Sequence, residues 1–151
     1  MRKTLDTTPP AASRLLLVDD NRNGRLARRL VLEEQGFTVT TCSTPEDALQ
    51  QFNAADFDIV VTDYRMPRMD GTELIAEMRR VRSDVRVILV SGMVDVLGLT
   101  EQNTGADAVI SKSSTEVPHM IRAVNRLRQK AAPRKPVASQ RNRKPPKASN
   151  G

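Results

Sequence analysis

Asp19-Asp20, Asp63, Ser91 and Lys112 each stand at or just beyond the end of a short apolar run. If those runs are parallel strands of one sheet, five side chains from four distant points in the chain meet at a single edge. Three crowded carboxylates repel one another, and some take up protons unless a cation lies among them. Hard oxygen ligands suit Mg²⁺, which keeps several waters and needs only one or two carboxylates. An ammonium and a hydroxyl nearby suit the oxygens of a phosphoryl group. Together they describe a carboxylate nucleophile attacking phosphorus, with metal and ammonium absorbing charge on the equatorial oxygens.

Each residue taken singly also has an ordinary structural use. Asp19-Asp20-Asn21 before a helix is common N-cap chemistry. Asp63 could open a turn, Ser91-Gly92 could punctuate a loop, and a lone lysine is usually a solvated surface charge. The joint reading is preferred because four separate strand ends would otherwise supply these groups by coincidence.

The positioning elements follow from the pattern of apolar residues. Residues 14–18 read as a strand, Arg14 leading into the continuous apolar run Leu15 to Val18 expected of a strand covered on both faces. Residues 23–35 read as a helix stopped by Gly36. Residues 38–42 are β-rich, and Thr44-Pro45-Glu46-Asp47 opens a helix with a cap, a proline at its first position and an acidic first turn. That helix puts Ala48, Leu49 and Phe52 on one face. Residues 59–62, 85–90 and 108–110 supply the remaining strands. Leu74, Ile75 and Met78 mark the next helix face, and Val117, Ile121 and Val124 the stripe of a last helix ending near Arg128. A helix over 94–103 would contain Gly98, which costs about 1 kcal/mol relative to Ala. Five strands alternating with five helices imply a parallel α/β sheet with helices on both faces and its site at the carboxyl edge.

Around this core the composition changes. Residues 1–12 are polar with Pro9-Pro10 and read as a flexible leader, leaving 13–130 as the domain. From Lys130 onward there are seven basic residues and no acidic one. The rest of the chain carries 17 basic and 18 acidic residues, so the net charge of +6 belongs to the tail. Residues 131–151 hold Pro133, Pro136, Pro145 and Pro146, with Val137 the sole large aliphatic, and are expected to be disordered. Without aromatics to stack on bases, this basic segment gives no reason to expect specific nucleic-acid binding. A single cysteine, Cys42, excludes an internal disulfide and fits a reducing, cytosolic setting. His119 lies off the last helix's apolar stripe and reads as a surface residue.

Four segments resemble the receiver domain of two-component response regulators: Leu15-Leu-Leu-Val-Asp-Asp20, Asp63-Tyr-Arg-Met-Pro-Arg-Met-Asp-Gly71, Val90-Ser-Gly92 and Gly105-Ala-Asp-Ala-Val-Ile-Ser-Lys112. They occur in the family's order, and the resemblance spans about residues 14–128. It implies a flavodoxin-like, doubly wound, five-stranded parallel sheet in the order 2-1-3-4-5. It further implies that Asp63 is the phosphoacceptor and that Mg²⁺ is bound by Asp20, Asp63 and the backbone carbonyl of Arg65, with Asp19 acting mainly through water. Ser91 would donate its hydroxyl to the phosphoryl group and Lys112 would pair with it. Met66-Pro67 and Gly71 would shape the turn after Asp63, and Gly92 would leave the site accessible. Implied partners are a sensor histidine kinase or phosphotransfer protein and a downstream protein target. A phosphorylation-dependent homodimer through the last two helices is compatible with the resemblance.

Two positions depart from the family pattern. Ser113 follows Lys112 where a proline, preceded by a cis bond, is usual; a non-proline cis bond costs about 3–4 kcal/mol. Val109 replaces a Tyr or Phe ring that swings inward on activation. The expectation is an intact phosphorylation site with a muted conformational response. A constitutive, receiver-like adaptor is the alternative, although it would have no chemical need for the acidic set. An aspartyl-phosphate phosphatase is disfavoured because Arg65 stands where a second acid–base carboxylate would be needed.

Overall fold

In the computed structural model, whose described residues are 13–131, five strands and six helices alternate along the chain. They are β1 (Arg14–Val18), α1 (Arg22–Glu34), β2 (Thr38–Cys42), α2 (Pro45–Ala54), β3 (Ile59–Asp63) and α3 (Gly71–Val81), then β4 (Arg86–Ser91), α4 (Val94–Leu97), α5 (Glu101–Thr104), β5 (Ala108–Ser111) and α6 (Glu116–Ala131). The readings made for the leader and for the tail beyond residue 131 fall outside the described residues. All strands pair in parallel, in the order β2-β1-β3-β4-β5. Fold class and strand order are those expected.

The central strands β1, β3 and β4 carry near-continuous apolar runs because both faces of the sheet are covered there, whereas the edge strand β2 is threonine-rich and only partly buried. Side chains alternate between the two faces. Leu15, Leu17, Ile59, Val61, Ile88, Val90 and Ile110 face one layer, with Leu32 of α1 and Met120, Val124 and Leu127 of α6. Leu16, Val18, Val60, Val87 and Leu89 face the other, with Phe52 of α2 and Leu74, Ile75 and Met78 of α3. Burying each large aliphatic or aromatic side chain contributes roughly 1.5–3 kcal/mol, and these two half-cores clamp the strand ends in place.

Helix starts follow local chemistry. Thr44 Oγ1 accepts the Asp47 N–H at 3.0 Å with Pro45 in the first turn. Asp70 and Glu73 close a reciprocal capping box ahead of α3, both bonds at 2.9 Å. Gly36 takes φ 95°, as a helix-terminating residue does.

Two expectations are corrected. The helix anticipated over 94–103 is two short helices, because Gly98 adopts φ 62° and caps α4 while Thr100 and Asn103 cap the start of α5. In α6, Val117 is exposed and Ile121 is only half-buried, so the buried stripe is Met120, Ala123, Val124 and Leu127, and the helix runs past Arg128 to Ala131. The cause is the rotation at which this helix meets the sheet, which its own sequence does not specify.

Candidate functional site

Strand register explains why the acidic residues meet. Val18 stands opposite Thr62, so Asp19 and Asp63 are the next residues on neighbouring central strands. Asp63 pairs with Val90, one residue before Ser91, and Ser91 pairs with Ser111, one before Lys112. The ladders continue past the strand ends through Asp19 N–H to Cys42 O (3.1 Å), Tyr64 N–H to Val90 O (3.0 Å) and Lys112 N–H to Ser91 O (2.9 Å). All five side chains singled out in the sequence therefore leave the same carboxyl edge.

Asp63 is 7% exposed, Ser91 2% and Asp19 1%, whereas Asp20 is exposed at the rim. Lys112 Nζ lies 3.1 Å from Asp63 Oδ2, and the Tyr64 N–H donates to Asp63 Oδ1 at 2.9 Å. Burial pushes the Asp63 carboxyl above the ordinary aspartate range. The Lys112 ammonium and the Tyr64 N–H act against that shift, while the negative charge of Asp19 adds to it. Ser91 Oγ accepts the Met93 N–H at 2.9 Å, which leaves its proton available to a group in the cleft. Carboxylate oxygens of Asp19, Asp20 and Asp63 all lie within 4.8 Å of one another. Mg²⁺ prefers hard oxygen ligands and needs only one or two carboxylates, so the chemistry of this all-oxygen set suits such an ion.

The cleft over these groups has a volume of about 540 Å³, with Asp20, Asp63, Arg65, Ser91, Gly92 and Lys112 in its walls. A Cβ on Gly92 would meet nothing within 4 Å, so the approach beside Ser91 is open. Gly71 is required by close approach: a Cβ there would stand 2.6 Å from both Asp63 O and Leu89 Cδ1. Its N–H donates to Tyr64 O at 2.7 Å, folding the loop after β3 back beneath the cleft. Arg68 in that loop takes φ 71° and forms an ion pair with Glu46 at 3.0 Å.

The two departures are structurally quiet. Among the described residues no peptide bond is cis. The link into Ser113 is trans, and Ser113 O accepts the Glu116 N–H at 3.1 Å at the start of α6. Val109 is half-buried against the α3-side core, and its N–H donates to Glu101 Oε2 at 3.2 Å. Cys42 is buried, with its thiol pushed up to about 12 chiefly by burial, and His119 is exposed.

Sequence reasoning missed three residues at this edge. Arg28 binds Asp19 Oδ2 through Nη1 and Glu116 through Nε at 2.6 Å and Nη2 at 3.2 Å. Gly24 leaves room for that reach. A signal was present: Arg28 lies one helical turn before buried Leu32, on the inward face of α1, where an arginine needs a counter-charge.

Comparison with known proteins agrees with this geometry. The family model for the response regulator receiver domain matches residues 15–125. The probable transcriptional regulator ycf27 of Guillardia theta is 35% identical over 133 residues, covering 86% of this chain and 52% of that protein. A CpxR homolog of Haemophilus influenzae is 34% identical, covering 80% of this chain and 53% of that protein. The chain thus spans about half the length of these curated relatives. Among solved structures, the response regulator TrrA of Thermotoga maritima, in complex with Mg²⁺–BeF, is 29% identical with a TM-score of 0.69, covering 76% of this chain and 98% of that one. TrrA has also been crystallised in complex with the histidine kinase ThkA. The acidic strand ends, the lysine beside them, the 2-1-3-4-5 sheet and the sequence match lead to one conclusion: the chain belongs to the response regulator receiver domain family.

Proposed function

We propose that this receiver is a phosphorylation switch in which Asp63 accepts a phosphoryl group from a histidine of a sensor kinase or phosphotransfer protein. The observation that carries the reading is the meeting of a buried, lysine-paired carboxylate with two further aspartates and a serine hydroxyl in one open cleft. An oxygen of Asp63 forms the new bond to phosphorus as the donor's P–N bond breaks. The electron pair leaves with the imidazole, which takes a proton. Asp63 must be ionised to attack, and Lys112 at 3.1 Å favours that form against burial. As the acyl phosphate forms, Lys112 and the Ser91 hydroxyl hold its oxygens, and the open side at Gly92 admits the donor. Asp20, Asp63 and the Arg65 carbonyl would hold Mg²⁺, with Asp19 steering its water. The ion, when bound, would supply charge neutralisation for the transferred group. Output would pass to a protein partner through a shift between two surface states.

Intact mass after incubation with Mg²⁺ and a small phosphodonor tests this, with Asp63→Asn as control. The expected result is a phosphoryl adduct on the native chain that requires Mg²⁺ and is absent from the variant. No adduct, from a folded protein that also fails to bind beryllofluoride, would replace the switch with a constitutive adaptor.

A further inference from the structure

Arg28 lies beside the cleft, and the phosphoacceptor chemistry does not need it. Its side chain is 11% exposed, and its guanidinium bridges Asp19 of the acidic cluster to Glu116 at the start of α6. Two parallel contacts hold the Glu116 side, a geometry suited to a planar fork. The Asp19 side is the close Nη1–Oδ2 contact, while Asp19 Oδ1 accepts the Asn21 N–H at 2.9 Å. Gly24 gives independent support. A Cβ there would stand 2.8 Å from Arg28 Nη1 and 3.0 Å from Asp19 Oδ2. A glycine inside a helix is unfavourable relative to alanine, and this one supplies the space through which the arginine reaches.

Charge within the cluster is therefore already partly balanced. Lys112 offsets Asp63 and Arg28 offsets Asp19, so an incoming divalent cation meets a fixed positive charge and an occupied carboxylate oxygen. We propose that Arg28 is a resident countercation that competes with Mg²⁺ and its bound water for Asp19 and, when displaced, remains held by Glu116, which couples metal occupancy to the α1–α6 contact. This rests on the reading of the acidic cluster as the Mg²⁺ site.

Calorimetric titration of Mg²⁺ into the full chain, wild type against Arg28→Met and Gly24→Ala, tests it, with Asp20→Asn reporting whether the heat comes from the cluster. Arg28→Met removes the charge at similar length. Gly24→Ala keeps the charge and pushes the guanidinium off Asp19. Kd for Mg²⁺ is expected to fall about tenfold in Arg28→Met and about threefold in Gly24→Ala, the scale on which groups around metal ligands act. An unchanged or weaker Kd in either variant, with its fold verified by NMR, would overturn the competition. Binding to the wild type lost in Asp20→Asn would leave the metal reading standing in that case. No heat from any folded form would remove the metal reading and this proposal with it.

Discussion

At the scale of single residues, Asp63 is held between opposing influences. Burial and the nearby Asp19 charge favour its neutral form, while Lys112 and a backbone N–H favour the carboxylate, and the balance leaves its pKa raised. An acid whose folded pKa lies above its unfolded value stabilises the fold while protonated, and that contribution is lost as pH rises through the folded pKa. At neutral pH without metal, ionised Asp63 therefore opposes folding. Asp63→Asn, which keeps the shape without the charge, is expected to raise Tm at pH 7 in chelator by a few degrees, ~1 kcal/mol being worth about 4 °C in a domain of this size. The gain should shrink as the pH is lowered through the Asp63 titration. A calorimetric Tm at or below that of the native chain at pH 7 would contradict the balance. The five acidic, hydroxyl and ammonium residues were legible because each sits at the end of an apolar run. Arg28 was legible only as a charge on the inward face of α1 and its partner Glu116 not at all, since their pairing joins residues 88 positions apart and depends on how α1 and α6 pack.

Elements differ in how much of themselves the sequence displays. The strands and α3 were plain, because an apolar run covered on both faces and the helical spacing of Leu74, Ile75 and Met78 are local patterns. Gly98 was ambiguous, since the same residue can sit inside a helix at a penalty or end one, and here it ends α4. Two overlapping stripes run along α6, and the sheet selects one: Met120 is fully buried while Val117 is 45% exposed. Met120→Ala is expected to cost about 2–5 kcal/mol by urea denaturation, as large core truncations do, and Val117→Ala no more than about 0.5 kcal/mol. Equal losses at the two positions would mean that the helix sits at a different rotation.

For the molecule as a whole, the question is whether phosphorylation moves anything beyond its own cleft. Val109 supplies no ring to swing, so the signal would have to travel through Ser91, the adjoining loops and the short α4 and α5, with Glu101 of α5 tied to the Val109 backbone. Beryllofluoride with Mg²⁺ is expected to shift amide NMR signals around Ser91 and Lys112 strongly and those of α4 and α5 weakly. Identical spectra with and without the bound mimic across all these segments would mark the protein as a passive phosphate sink. Large shifts across α4 and α5 would instead show that a full switch operates without the aromatic residue.

The segment just after β3 also lends the protein an optical property. The chain has one tyrosine and no tryptophan, and that tyrosine, Tyr64, follows Asp63, with its backbone N–H bonded to the Asp63 carboxylate and its ring packed against the α3-side core. Tyrosine emission therefore originates from a single fluorophore beside the Asp63 cleft, so an unlabelled sample carries its own stopped-flow dye, free of background from tyrosine or tryptophan elsewhere in the chain.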